Sequence, residues 1–195
     1  MKKLLTTLIA LLLTSISFAQ DGFVGHLEFK GVAINGSIDE FVSEMESAGF
    51  KKKSINNGVA VLTGDFAGEK NCKINVITLQ PQNLVNKITV YFPTCSTWPD
   101  LSEMYEKLKY YLTGKYGEPQ INVQKFKSYV SQNDDSSRMM LARIGKCEYV
   151  TSFALPNGII ELSIYSDMAD EPRVSLTYTD KENSEIIEQQ IIDDL

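Results

Sequence analysis

The chain has one histidine, and that scarcity removes most familiar catalytic machinery. A Ser-His-Asp or Cys-His pair would have to use His26, because no second imidazole exists. His26 sits near the start of the mature segment, in neither a nucleophile-elbow context nor a metal spacing, and reads as an edge-strand surface residue. One histidine and three scattered cysteines also lack the paired spacing of a closed zinc site, which takes four N or S ligands. The glycines stand singly, so no phosphate loop or dinucleotide fingerprint is present, and nothing calls for a cofactor. Positive charge is short as well. A net charge of −6 leaves no basic stripe to displace phosphate counterions, which argues against a nucleic-acid partner.

Long apolar runs are confined to the first twenty residues, MKKLLTTLIALLLTSISFAQ. Lys2 and Lys3 precede an apolar stretch from Leu4 to Leu13, and Ser17-Phe18-Ala19 supplies small residues for a cleavage site. This is a signal-peptide pattern over 1–19, too short to span about 30 Å of hydrocarbon comfortably. The expectation is export to the periplasm or beyond, of Gram-negative type, with no transmembrane segment after cleavage. Three cysteines in an oxidising compartment allow one disulfide and one spare thiol. Cys72 and Cys147 could bridge if their strands are neighbours; in separate halves they are small buried hydrophobes.

What the chain does carry is a repeated pattern. Gly68 to Phe92 and Gly145 to Ser166 each run Gly, Lys, Cys, an alternating stretch, a proline-containing turn and a second alternating stretch. Cys72 aligns with Cys147, Leu79 with Leu155, Pro81 with Pro156 and Tyr91 with Tyr165. Ser37 to Glu40 is a capping box opening a helix whose apolar stripe is Ile38, Phe41, Val42 and Met45. Thr97 to Asp100 opens a longer one, with Leu101, Met104, Tyr105, Leu108, Tyr111 and Leu112 at helical spacing. Trp98 beside that cap reads as a staple over the sheet. Lys51 to Gly58 reads as a polar connector, 131–137 as a solvated loop, Met139 to Ile144 as a strand, and the end of the chain as an amphipathic helix. The predicted fold is α+β: two related helix-plus-antiparallel-meander halves, 20–96 and 97–195, in a continuous or paired sheet with helices on one face.

Period-two alternation divides the strands. Cys72, Ile74, Val76, Ile88 and Val90 go to the buried side; Lys87, Thr89 and Tyr91 go to the other. The repeat aligns these with Glu161, Ser163 and Tyr165, and Arg173, Ser175 and Thr177 extend the face on the last strand. Tyrosines flanked by small hydroxyls and mixed charges suit protein recognition, although strand propensity alone also favours Thr and Tyr. Acidic pairs, Asp134 with Asp135 and Asp167 with Asp170 and Glu171, could in principle hydrolyse glycosides across a cleft, but loop acids are ordinarily just solvated.

The segment GVAINGSIDEFVSEMESAGF, with the tandem helix-plus-meander order, resembles the β-lactamase-inhibitor-protein-like fold and looks more distantly like small outer-membrane assembly lipoproteins. It is similar to the opening of uncharacterised exported proteins with that architecture. The resemblance implies an antiparallel sheet whose uncovered face binds a partner. The resulting expectation is a non-enzymatic protein engaging another protein or an envelope component. A small-ligand or glycan-binding module is the alternative, and a hydrolase the third reading.

Overall fold

A computed structural model describes residues 25–79, 83–127, 134–167 and 171–193. The signal-peptide pattern, Pro81 with its turn, residues 131–133 of the expected loop, and Asp170 lie outside the described residues.

The fold opens with a two-residue hairpin, β1 (Glu28–Phe29) and β2 (Val32–Ala33). It turns on Lys30 and Gly31, both at positive φ (55° and 80°), the turn that matches strand twist. Helix α1 (Ile38–Ser47) follows, and the expected capping box is complete: the Glu40 N–H donates to Ser37 Oγ, and the Ser37 N–H donates to Glu40 Oε2 at 3.0 Å. Its buried stripe is the expected Ile38, Phe41, Val42 and Met45.

Four strands come next: β3 (Lys51–Asn56), β4 (Val59–Phe66), β5 (Glu69–Leu79) and β6 (Leu84–Tyr91). The connector expected at Lys51 is therefore a strand. Its lysines are solvated, but they are solvated along a sheet edge, where charge is tolerated and pairing with β4 satisfies one side. Helix α2 (Trp98–Tyr116) begins at the Thr97 cap, whose hydroxyl accepts from the Asp100 N–H. After β7 (Ile121–Phe126) the chain forms α3 (Asp135–Arg143) where a strand was expected over Met139 to Ile144. Asp134 caps this helix by accepting the Ser137 N–H at 2.8 Å. The run Arg-Met-Met-Leu-Ala-Arg has strong helix propensity, and with the Asp134 cap before it this outweighs the strand reading of a short apolar run. Strands β8 (Cys147–Leu155), β9 (Gly158–Tyr165) and β10 (Arg173–Asp180) and helix α4 (Lys181–Asp193) complete the chain.

The eight strands β3 to β10 form one sheet in the order β3-β4-β5-β6-β10-β9-β8-β7, with every neighbouring pair antiparallel. The last strand is inserted between β6 and β9, so residues from both expected halves share one continuous sheet. The helices lie to one side. Helix α1 packs on β3 to β6, α2 packs on β8 to β10, and α4 lies against β6, β9 and β10. Beneath them Ile74, Val76, Ile88, Val90, Ile160, Leu162 and Val174 have no exposed surface. Each such side chain stabilises the fold by about 1.5–3 kcal/mol relative to exposure. Trp98 is buried against Phe126 and Tyr149, ring centroids 5.2 and 5.4 Å away. Among the described residues no helix is long and apolar enough to cross a membrane.

Candidate protein-binding face

Strand alternation leaves one side of the sheet without a helix over its centre, and register decides which side chains meet there. Tyr91 on β6 stands opposite Ser175 on β10, and Ser175 opposite Ser163 on β9. One row further along, Thr89, Thr177 and Glu161 are aligned in the same way. Arg173 is opposite Tyr165, and Lys87 is opposite Thr179. The nine residues Lys87, Thr89, Tyr91, Glu161, Ser163, Tyr165, Arg173, Ser175 and Thr177 thus share one face of three adjacent strands.

The centre of this face is a set of side-chain pairs. Thr89 Oγ1 and Thr177 Oγ1 are 3.3 Å apart, and Ser163 Oγ and Ser175 Oγ 2.9 Å. Tyr91 and Tyr165 meet over β10, with ring centroids 5.2 Å apart and planes at 58°. Lys73 Nζ lies 5.6 Å from the Tyr91 centroid, within cation–π range. Burial, and secondarily Tyr165, push the Tyr91 hydroxyl above the ordinary tyrosine range, so it stays protonated and can donate. Thr89 and Ser175 are buried although no described helix covers them, because the larger flanking side chains shade these short ones. Tyr165 is 39% exposed and projects most among the aromatic residues of the face.

The face is wider than those nine residues. Lys73, Asn75 and Ile77 on β5 are in register with Tyr91, Thr89 and Lys87. The alternation of β5 already sets Lys73 and Asn75 opposite the core positions. The hairpin joining β5 to β6 was the signal for including them.

The disulfide expectation is corrected. Cys72 lies on β5 and Cys147 on β8, with β6, β10 and β9 between them. Four strand spacings separate them by about 19 Å, far beyond disulfide reach. All three cysteines are free, with Cys72 and Cys95 buried and Cys147 half-buried. Burial pushes the Cys72 thiol up to about 11 and the Cys147 thiol to about 12, so neither is a nucleophile near neutrality.

His26 is not an exposed surface residue. Its Nδ1 is 3.2 Å from Asp180 Oδ1 and its Nε2 is 3.5 Å from Glu182 Oε2, so the ring clips the start of the chain to the start of α4. Of the acidic loop residues, Asp134, Asp135 and Glu171 serve as local structure. Asp134 caps α3, Asp135 pairs with Arg138, and Glu171 accepts from Arg143 Nε at 2.9 Å. Among the described residues no three His, Cys, Asp or Glu side chains gather as a metal site would require.

Comparison of the chain with protein-family models, with curated proteins and with solved structures finds no match.

Proposed function

We propose that this chain is an exported, non-enzymatic binding protein that engages another protein or an envelope component through the open face of its sheet. The observation that carries the reading is the Tyr91–Tyr165 pair at the centre of that face, 5.2 Å between rings and flanked by hydrogen-bonded Thr and Ser pairs. Two aromatic rings braced against each other lose little side-chain entropy on contact, and the hydroxyls around them offer adaptable donors and acceptors. The resemblance to the β-lactamase-inhibitor-protein-like fold supports the same use of an uncovered sheet. The test is capture from envelope extract by the mature protein beside a Tyr91→Ala/Tyr165→Ala variant of matched stability. A partner retained by the first and lost by the second supports the reading; equal capture by both removes it.

A small-ligand reading rests on a different observation. A cleft of about 580 Å³ runs between α4 and one end of the sheet, lined by Leu79, Leu155, Ile159, Ile187 and Ile191. Asn86 also lines it, is 3% exposed, and has an Oδ1 with no hydrogen-bond partner among the described residues. A buried carbonyl without a donor beside an aliphatic cleft suits a ligand with an apolar body and one N–H or O–H group. An Ile159→Trp substitution that fills the cleft and abolishes binding of an apolar fluorescent probe would favour this reading over the first.

A further inference from the structure

The sheet has two ends, and they are not treated alike. β3, at one end, carries Lys51, Lys52 and Lys53 and shifts register between Lys52 and Ser54. Clustered lysines and a bulge are the usual defences of an edge against further strand pairing. At the other end β7 has no bulge, and its lysines, Lys125 and the following Lys127, both engage Glu148. The strand pairs with β8 in unbroken register from Ile121–Ser152 to Phe126–Cys147.

Just past β7 the Lys127 N–H donates to the Lys146 carbonyl at 2.7 Å, in that same register. Antiparallel bonding alternates, so the backbone groups of Ile121, Val123 and Lys125 face β8, and those of Asn122, Gln124 and Phe126 face outward. No described residue bonds to these outward groups. Their side chains lie on the helix side: Gln124 Nε2 donates to Glu106 Oε1 at 2.8 Å, Asn122 Oδ1 accepts from Thr151, and Phe126 packs on Trp98 and Tyr149. On that side a cleft of about 510 Å³ follows the edge, walled by Trp98, Phe126 and Tyr149 and lined also by Ser102, Glu106, Gln124 and the cations Lys125 and Arg138. Trp98, Ser102 and Glu106 are four residues apart, one stripe of α2 held over the edge.

We propose that β7 is a docking edge that takes up an extended segment of a partner protein as a ninth strand. Residues of that segment opposite Gln124 and Phe126 share their side of the sheet and enter the ring-walled cleft, which suits aromatic side chains with a polar end. The residue between them lies beside Lys125 on the other side. There Lys125 and Lys127 both lean on a single carboxylate oxygen of Glu148, at 3.6 and 2.9 Å, leaving positive charge in excess. The segment therefore alternates aromatic residues with an acidic one. A second copy of this chain fits worse. It would offer Phe126, already packed on Trp98 and Tyr149, and would set two Lys125 side chains diagonally across the new pair. The inference does not rest on the open-face reading, because no residue of the Tyr91–Tyr165 face takes part.

The test uses the blocked pentapeptide Tyr-Glu-Tyr-Thr-Tyr and the mature chain, followed by calorimetric titration and amide hydrogen exchange. Binding should slow exchange about tenfold at Asn122, Gln124 and Phe126 and leave Val123 unchanged. N-methylation of the tyrosine amides should abolish binding, since those N–H groups face β7, whereas N-methylation of the Glu and Thr amides should not. Gln124→Pro removes the central outward donor at a position where an edge strand accepts proline, and should lose the peptide. Should that variant fail to fold, the two methylated peptides still decide. No binding at millimolar peptide, equal binding of both methylated forms, or protection of the same amides by self-association in sedimentation would each overturn the proposal.

Discussion

Asp180 has no exposed surface, and its carboxylate accepts the Leu27 N–H at 2.8 Å and the Asn183 N–H at 2.9 Å while facing His26 Nδ1. It therefore caps α4 and ties down the first hairpin at once. Asp180→Asn puts an amide donor where an acceptor is needed, and a buried N–H loses its partner. The expected loss is about 1–3 kcal/mol, read as a lower urea midpoint with an unchanged slope. The thiols carry a second prediction. Cys72 is held at about 11 by burial, whereas the unfolded thiol titrates near about 8.5. A raised folded value means the unfolded chain gives up its proton first. The stabilising effect is whole below about pH 8.5 and is lost as pH rises toward about 11, so stability should fall through that window. Cys72→Ser should make that part of a pH–stability profile shallower, the rest of the fall coming from Cys95 and Cys147, which burial also raises. Thiol titration with a chromogenic disulfide reagent should find the buried Cys72 and Cys95 unreactive in the native chain and three reactive thiols after denaturation.

At the scale of elements, two controls are clear. Ser37 closes the first turn of α1 through a reciprocal pair with Glu40, and Ser37→Ala should cost about 1 kcal/mol by thermal or urea unfolding. Gly158 begins β9 where β10 passes so close that an added Cβ would stand 2.3 Å from the Thr179 carbonyl oxygen. Gly158→Ala must push the two strands apart, and a loss of about 1–3 kcal/mol is expected. The caps were legible in the sequence because they are local: four residues supply both donors and both acceptors. The same locality misread two other elements. Lys51 to Lys53 has no alternation, so only its pairing with β4 makes it a strand. Met139 to Ile144 is a short, mainly apolar run that also suits a strand, yet the Asp134 cap and helix-forming residues carry it into α3.

On the scale of the whole molecule, β10 is what joins the chain. It lies between β6 and β9, so residues 20–96 alone would leave β6 as an open, largely apolar edge. A 20–96 fragment should self-associate and lack cooperative unfolding, and adding the 97–195 fragment should restore both solubility and a single transition. Sedimentation and circular dichroism read the two outcomes. The same insertion brings Tyr91 and Tyr165 into contact from opposite sides of β10. Their double replacement by alanine should abolish binding and lower the unfolding midpoint modestly, since the ring pair contributes about 0.5–1.5 kcal/mol beyond its buried area.

By itself the sequence determined which side of β5, β6, β9 and β10 is core and where α1 and α2 begin. A period of two fixes facing, and a cap needs only its neighbours. That was enough to place Lys87, Thr89 and Tyr91 with Glu161, Ser163 and Tyr165 away from Ile88, Val90 and Leu162. Which strands are neighbours was decided only in the tertiary structure, because strand pairing is a long-range choice that local periodicity does not record. The separation of Cys72 from Cys147, the insertion of β10, and the contrast between the bulged β3 edge and the regular β7 edge all follow from that choice.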